Sequence, residues 1–114
     1  MSFGITGWSQ YWNDPVKYRN PDEKGLLCFP SFNYSAAEVL LSRGISGIAI
    51  DTLSPDLGVN GHFPVHELFL GAGKYLIENV ANAHLLPPIG AYGIVLPLKI
   101  AEGSEAPLRF VALF

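Results

Sequence analysis

A single cysteine, Cys28, is all the chain has. An internal disulfide and a cysteine-based zinc site are therefore both excluded, and Cys28 is expected to be a small buried or half-buried hydrophobe. Charge is also scarce. Only 15% of the 114 residues are Asp, Glu, Lys or Arg, where about a quarter is usual for a soluble domain. A surface so poor in charge implies that more than the chain's own core gets covered. The seven Lys and Arg are scattered and the net charge is -3, so there is no basic footprint for nucleic acid. The longest apolar runs, "GISGIAI" and "YGIVLPL", fall far short of the ~20 residues a membrane helix needs. The start, "MSFGITGWSQ", lacks the charged and apolar regions of a signal peptide. The expectation is a cytoplasmic protein with neither a membrane nor a nucleic-acid partner.

Several catalytic patterns are missing too. "GAG" at 71–73 has neither the spacing nor the lysine of a phosphate loop, there is no serine nucleophile elbow, and no HExxH zinc motif occurs.

What is present suits one domain built around one core. Residues 1–34 carry both tryptophans with Pro15, Pro21 and Pro30 and show no sustained period, which reads as an ordered loop segment needing a surface to lie on. Trp8, Tyr11, Trp12 and Tyr18 are expected to pack there; with little positive charge beside them, a base-stacking platform is the weaker reading. "SAAEVLLSRG" predicts a short helix with Ser35 as N-cap, Glu38 completing a capping box, Gly44 as stop, and Ala36, Val39 and Leu40 on its apolar face. "ISGIAID" predicts a strand buried on both faces, and "TLSPDLGVNGH" a loop. "PVHELFLG" predicts two helical turns opened by Pro64 and ended by Gly71. "KYLIENV" predicts a short strand, and "ANAHLLPPIG" a link. "AYGIVLPLKI" and "PLRFVALF" predict two strands of a hairpin, Pro97 marking an edge or bulge. The class is α/β, with α+β as the variant, short helices packing on a mixed sheet.

His66 and Glu78 are candidate ligands for Zn²⁺ or Mn²⁺, which imidazole and carboxylate commonly bind. Spacing alone equally allows a helix-surface histidine and a strand-end glutamate. His62 and His84 could add a ligand or be solvated. Asp51, Thr52, Ser54 and Asp56 cluster at the carboxyl end of a buried strand, where α/β proteins place binding groups, although turn chemistry accounts for them as well.

Whole phrases say more than spacing. "TGWSQYW", "FPSFNYSAAEVLLSRGISGIAIDTLSPD", "FPVHELFLGAGKYLIENVANAHLLP" and "VLPLKIAEGSEAPLRFVAL" resemble, in order, the carboxyl-terminal half of the cyclase family of metal-dependent hydrolases, which includes kynurenine formamidases (arylformamidases) and isatin hydrolases. The resemblance covers the chain from about Thr6 onward. It implies part of a swivelling β/β/α domain, a homodimer, and amide or lactam hydrolysis with a bound divalent metal. It also implies that His66 and Glu78, twelve positions apart, match the family's histidine and glutamate near the metal, as catalytic and metal residues. Asp51, Thr52 and Ser54 match an Asp-Thr-x-Ser phrase close to the substrate. The family's His-x-Gly-Thr-His-x-Asp metal motif is absent from this sequence. The resemblance therefore implies a truncated or split hydrolase without independent activity, completed by self-association or by a separately encoded amino-terminal half. The alternative is a non-catalytic, self-associating module that binds a small molecule or a partner.

Overall fold

The structure is a computed structural model that describes residues 1–59 and 61–114. It has two compact units, Met1–His84 and Leu85–Phe114. The class is α/β.

The first unit contains a three-stranded parallel sheet in the order β1 (Ser2–Gly4), β2 (Gly47–Ile50), β3 (Tyr75–Ile77). Every residue of the central strand is buried. A parallel strand covered on both faces has no solvent side, so it tolerates only small and apolar side chains. The glycine is required: a Cβ on Gly47 would strike the backbone carbonyl and ring of Tyr75 on the adjacent strand. Helix α2 (Tyr34–Ser42) precedes β2, and α3 (Pro64–Gly71) carries the chain from β2 across to β3. The core is Ala37, Ile48, Val65 and Phe69, with Phe32, Leu40, Leu41, Ile45, Leu68 and Leu76 packed around it.

Helix α2 differs from the sequence expectation in two respects. Its N-cap is Asn33, whose Oδ1 accepts the Ser35 N–H at 2.8 Å, so Ser35 lies inside the helix and forms no capping box with Glu38. Its core-facing stripe is the buried Ala37 with the half-buried Leu40 and Leu41, whereas Val39 is 48% exposed. In "AAEVLL" five of six positions are apolar, so the period cannot select a face; the opposing α3 and sheet do. Gly44 ends the helix as expected, with a left-handed φ of 70°.

The segment 1–34 is more regular than its composition implies. Ser2–Gly4 pairs with β2, a strand too short to show alternation. Trp8–Tyr11 forms a 3-10 turn, and Pro15–Arg19 forms a helix, α1, capped by Asp14, which accepts the Lys17 N–H at 3.1 Å. Tyr18 is buried, the Trp12 ring meets it edge-on at 5.3 Å, and the Trp8 indole donates to the Tyr18 carbonyl at 2.9 Å. These aromatics pack on one another.

The second unit is an antiparallel hairpin of β4 (Tyr92–Pro97) and β5 (Leu108–Leu113), paired from Tyr92↔Leu113 to Pro97↔Leu108. Pro97 closes its strand. One face presents Tyr92, Ile94, Leu96, Val111 and Leu113, all classed as exposed; the other carries the half-buried Val95 and Phe110. No helix among the described residues is long and apolar enough to cross a membrane.

Phe69 is fully buried in the core and Val39 is not. Phe69→Ala should cost ~3–5 kcal/mol, and Val39→Ala no more than ~0.5 kcal/mol. Urea denaturation followed by circular dichroism checks both; comparable losses would contradict the assigned face of α2.

Candidate functional site

The site lies where β2 and β3 end. After Ile50 the chain enters a loop whose Asp51, Thr52 and Asp56 are almost fully buried. Each of these side chains is committed to a partner, as burial of a polar group demands. Asp51 Oδ1 accepts the Thr6 N–H at 3.0 Å and the Thr6 hydroxyl at 2.7 Å, tying the amino-terminal segment to the end of β2. Thr52 Oγ1 donates to the Ser54 carbonyl at 3.1 Å, and Ser54 Oγ accepts the Asp56 N–H at 3.1 Å. The loop is thus shaped from within, and it delivers Asp56 to the start of α3.

Helix α3 opens without a capping side chain of its own, since Phe63 occupies the N-cap position. Asp56 serves instead. Its Oδ1 accepts the Val65 N–H at 2.8 Å and its Oδ2 the His66 N–H at 3.0 Å. Two orphan donors are satisfied, and a negative charge meets the positive end of the helix. The same Oδ2 stands 2.7 Å from His66 Nδ1. On the other side of the ring, Nε2 lies 3.4 Å from Glu78 Oε1. His66 and Glu78 are each a little over a quarter exposed, and the Phe63 ring meets the imidazole edge-on at 5.6 Å. Glu78 directly follows β3, and the next two residues are pinned: the Asn79 N–H donates to the Thr52 carbonyl at 2.9 Å and the Val80 N–H to the Ile50 carbonyl at 3.0 Å. Asn79 takes a left-handed φ of 56°, which asparagine accepts more readily than most residues.

The structure therefore brings His66 and Glu78 together. Asp51, Thr52 and Ser54 lie in the loop at the same strand ends, their side chains bonded to Thr6 and to the loop itself. His62 and His84 are exposed, and among the described residues no group of three or more His, Cys, Asp or Glu could hold a metal ion. The donor chemistry nevertheless suits a cation at one point. An N···O separation of 3.4 Å is long for a hydrogen bond, usually ~2.7–3.2 Å. It equals the separation of two donors each about 2.1 Å from one tetrahedral ion, roughly 3.4 Å. Binding a histidine's second nitrogen to a carboxylate is the usual arrangement behind a metal ligand. His66 and Glu78 fit two positions of such a donor set.

The sequence placed Asp56 in a polar cluster open to both binding and turn chemistry, and it gave Thr6 and Asn79 no role. A signal for Asp56 was available: a helix opening on Phe63-Pro64 has no acceptor beside its first N–H groups, so a remote one is needed.

The same ground is covered by known proteins. Residues 5–57 match the model of the family described as "Putative cyclase". The isatin hydrolase of Roseibium aggregatum is 34% identical over 112 residues, which is 95% of this chain and 42% of that protein. The chain is similar to the cyclase family. A crystal structure of an isatin hydrolase bound to the product analogue thioisatinate superposes on this chain with a TM-score of 0.89, at 32% identity, over 98% of this chain and 45% of that one. Isatin hydrolase A from Ralstonia solanacearum gives 0.87 at 32% identity, over 96% and 44%. The chain thus spans less than half the length of these relatives.

Beside the site, the Tyr18 hydroxyl lies 3.1 Å from the Asp51 carbonyl and 2.9 Å from Asn79 Oδ1, sharing its one proton between two acceptors. Burial, then the negative charges of Asp51 and Glu78, push its pKa from 10.0 up to about 12. A raised folded-state pKa means that the folded protein holds this proton more tightly than the unfolded chain does. The resulting stabilisation is complete below pH ~10 and is lost as pH rises towards ~12. Subtracting the tyrosinate absorbance titration of Tyr18→Phe from that of the wild type should leave a component with its midpoint near 12. A midpoint near 10 would contradict the burial of the hydroxyl beside Asp51 and Glu78.

Proposed function

We propose that this chain forms part of a divalent-metal centre that hydrolyses an amide or lactam bond, with His66 and Glu78 as its share of the metal ligands and Asp51, Thr52 and Ser54 framing the substrate end. One observation carries the reading. His66 has one nitrogen held by the buried Asp56 and turns the other towards Glu78 at a separation that suits two ligands of one ion. A ring nitrogen that faces a carboxylate needs a positive species between them, which a ring proton or a metal ion can supply. Zn²⁺ or Mn²⁺ bound there would supply carbonyl polarisation and a water of lowered pKa. The similar proteins are named isatin hydrolases, and isatin is a cyclic amide, which suggests the bond type.

A catalytic zinc generally takes three protein ligands and keeps one position open. This chain supplies two, so the missing ligand belongs to residues outside it: the remainder of a longer protein, a separately encoded amino-terminal half, or a second copy in a homodimer. Catalysis belongs to that completed protein and not to these 114 residues alone. A second reading, a self-associating module without catalysis, is favoured by the exposed apolar face of the hairpin, because contiguous apolar patches commonly mark interaction sites.

Metal analysis of untagged protein after dialysis against Zn²⁺ or Mn²⁺ separates the two. The hydrolase reading expects stoichiometric metal in the wild type and its loss in both His66→Ala and Glu78→Ala, each still folded. Folded wild type that takes up neither metal would sink it. Sedimentation of the same samples tests the module reading, which predicts a dimer or larger closed assembly at micromolar concentration.

A further inference from the structure

We propose that Asp56 is a positioning residue that sets the tautomer of His66, placing the ring proton on Nδ1 and leaving the lone pair of Nε2 directed towards Glu78. Asp56 is 1% exposed, and both its oxygens are engaged by backbone N–H groups from the first turn of α3. The carboxylate cannot swing away without exposing two helix-end donors, so its position is fixed by the fold and not by the imidazole. An oxygen that already accepts one N–H, 2.7 Å from Nδ1, is best satisfied by a second N–H. In a neutral imidazole that proton can sit on only one nitrogen. The competing carboxylate, Glu78, is farther away at 3.4 Å and partly solvated, so it pulls the proton less strongly. The edge contact with Phe63 holds the ring plane. The consequence for metal binding rests on the function proposed above; the tautomer assignment does not.

The mechanism predicts a specific failure. In Asp56→Asn an amide oxygen can still accept the Val65 N–H, but an NH₂ group now faces Nδ1 and donates to it. The ring proton is then displaced to Nε2, where it blocks the lone pair. This is the tautomer error described for the orienting aspartate of serine-protease triads.

The full chain labelled with ¹⁵N-histidine, stripped of metal with a chelator and held about two pH units above the ordinary histidine value of ~6.5, gives the answer by long-range ¹H–¹⁵N correlation. Wild type should show the proton on Nδ1 of His66 and none on Nε2. Glu78→Gln should leave that pattern unchanged, and Asp56→Asn, if its circular dichroism is preserved, should move the proton to Nε2. A wild-type proton on Nε2, a tautomer that moves in Glu78→Gln, or one that stays in folded Asp56→Asn would each overturn the assignment. If Asp56→Asn does not fold, the first two spectra decide. Zinc titration supplies the second readout: where wild type binds, Asp56→Asn should bind about 10–100-fold more weakly. Unchanged affinity in a variant whose tautomer has moved would refute the positioning role. A wild type that shows the Nδ1 proton yet binds no zinc would overturn the proposed function and leave the assignment standing.

Discussion

The buried carboxylate of Asp56 is the interaction on which the site depends. Three nitrogens stand 2.7 to 3.0 Å from its oxygens: those of two backbone N–H groups at the start of α3, which donate to it, and Nδ1 of His66. An ionisable group taken out of water is costly unless it is fully hydrogen-bonded, and here the bonding partners are the donors that a helix beginning with Phe63-Pro64 would otherwise leave unmet. One side chain thus solves a folding problem and orients a chemical group. Because both roles use the same two oxygens, the direction of the imidazole is tied to the direction of the helix.

The sheet supplies the rest of the geometry. Parallel strands put their carboxyl ends on one side, so the residues after β2 and after β3 meet without any long-range sequence signal. Asp51 anchors Thr6 there, Thr52 and Ser54 shape the loop that carries Asp56, and the pinning of Asn79 and Val80 to Thr52 and Ile50 sets where Glu78 stands. Placing binding groups at this edge is a general property of α/β sheets. The particular pairing of His66 with Glu78 arises because α3 runs back from β2 to β3, delivering a residue of its first turn to the same edge.

The hairpin is a different physical object. A two-stranded ribbon is marginal alone in water, and this one carries aliphatic and aromatic side chains on a face that the described residues leave exposed. Together with the low charged fraction, that face accords with a chain covering less than half the length of its relatives.

Most elements were legible in the sequence because their signals are local. The helix over Pro64–Gly71, the central strand, the short strand at Tyr75–Ile77 and the hairpin follow from proline and glycine placement, β-branched runs and turn residues. The family resemblance added His66 and Glu78 as a pair. Three things were not legible. Ser2–Gly4 is too short to show a period; the face of α2 is ambiguous where nearly every residue is apolar; and Asp56 looks like any turn aspartate until the helix it caps is placed beside it. By itself the sequence determined which residues could bind a metal and which segments would be helix or strand, since these follow from side-chain chemistry and local backbone preference. Only the tertiary structure decided that one nitrogen of His66 belongs to Asp56 and the other faces Glu78, because that depends on distances between segments ten and twelve residues away from it, set by packing and by the hydrogen bonds of a buried loop.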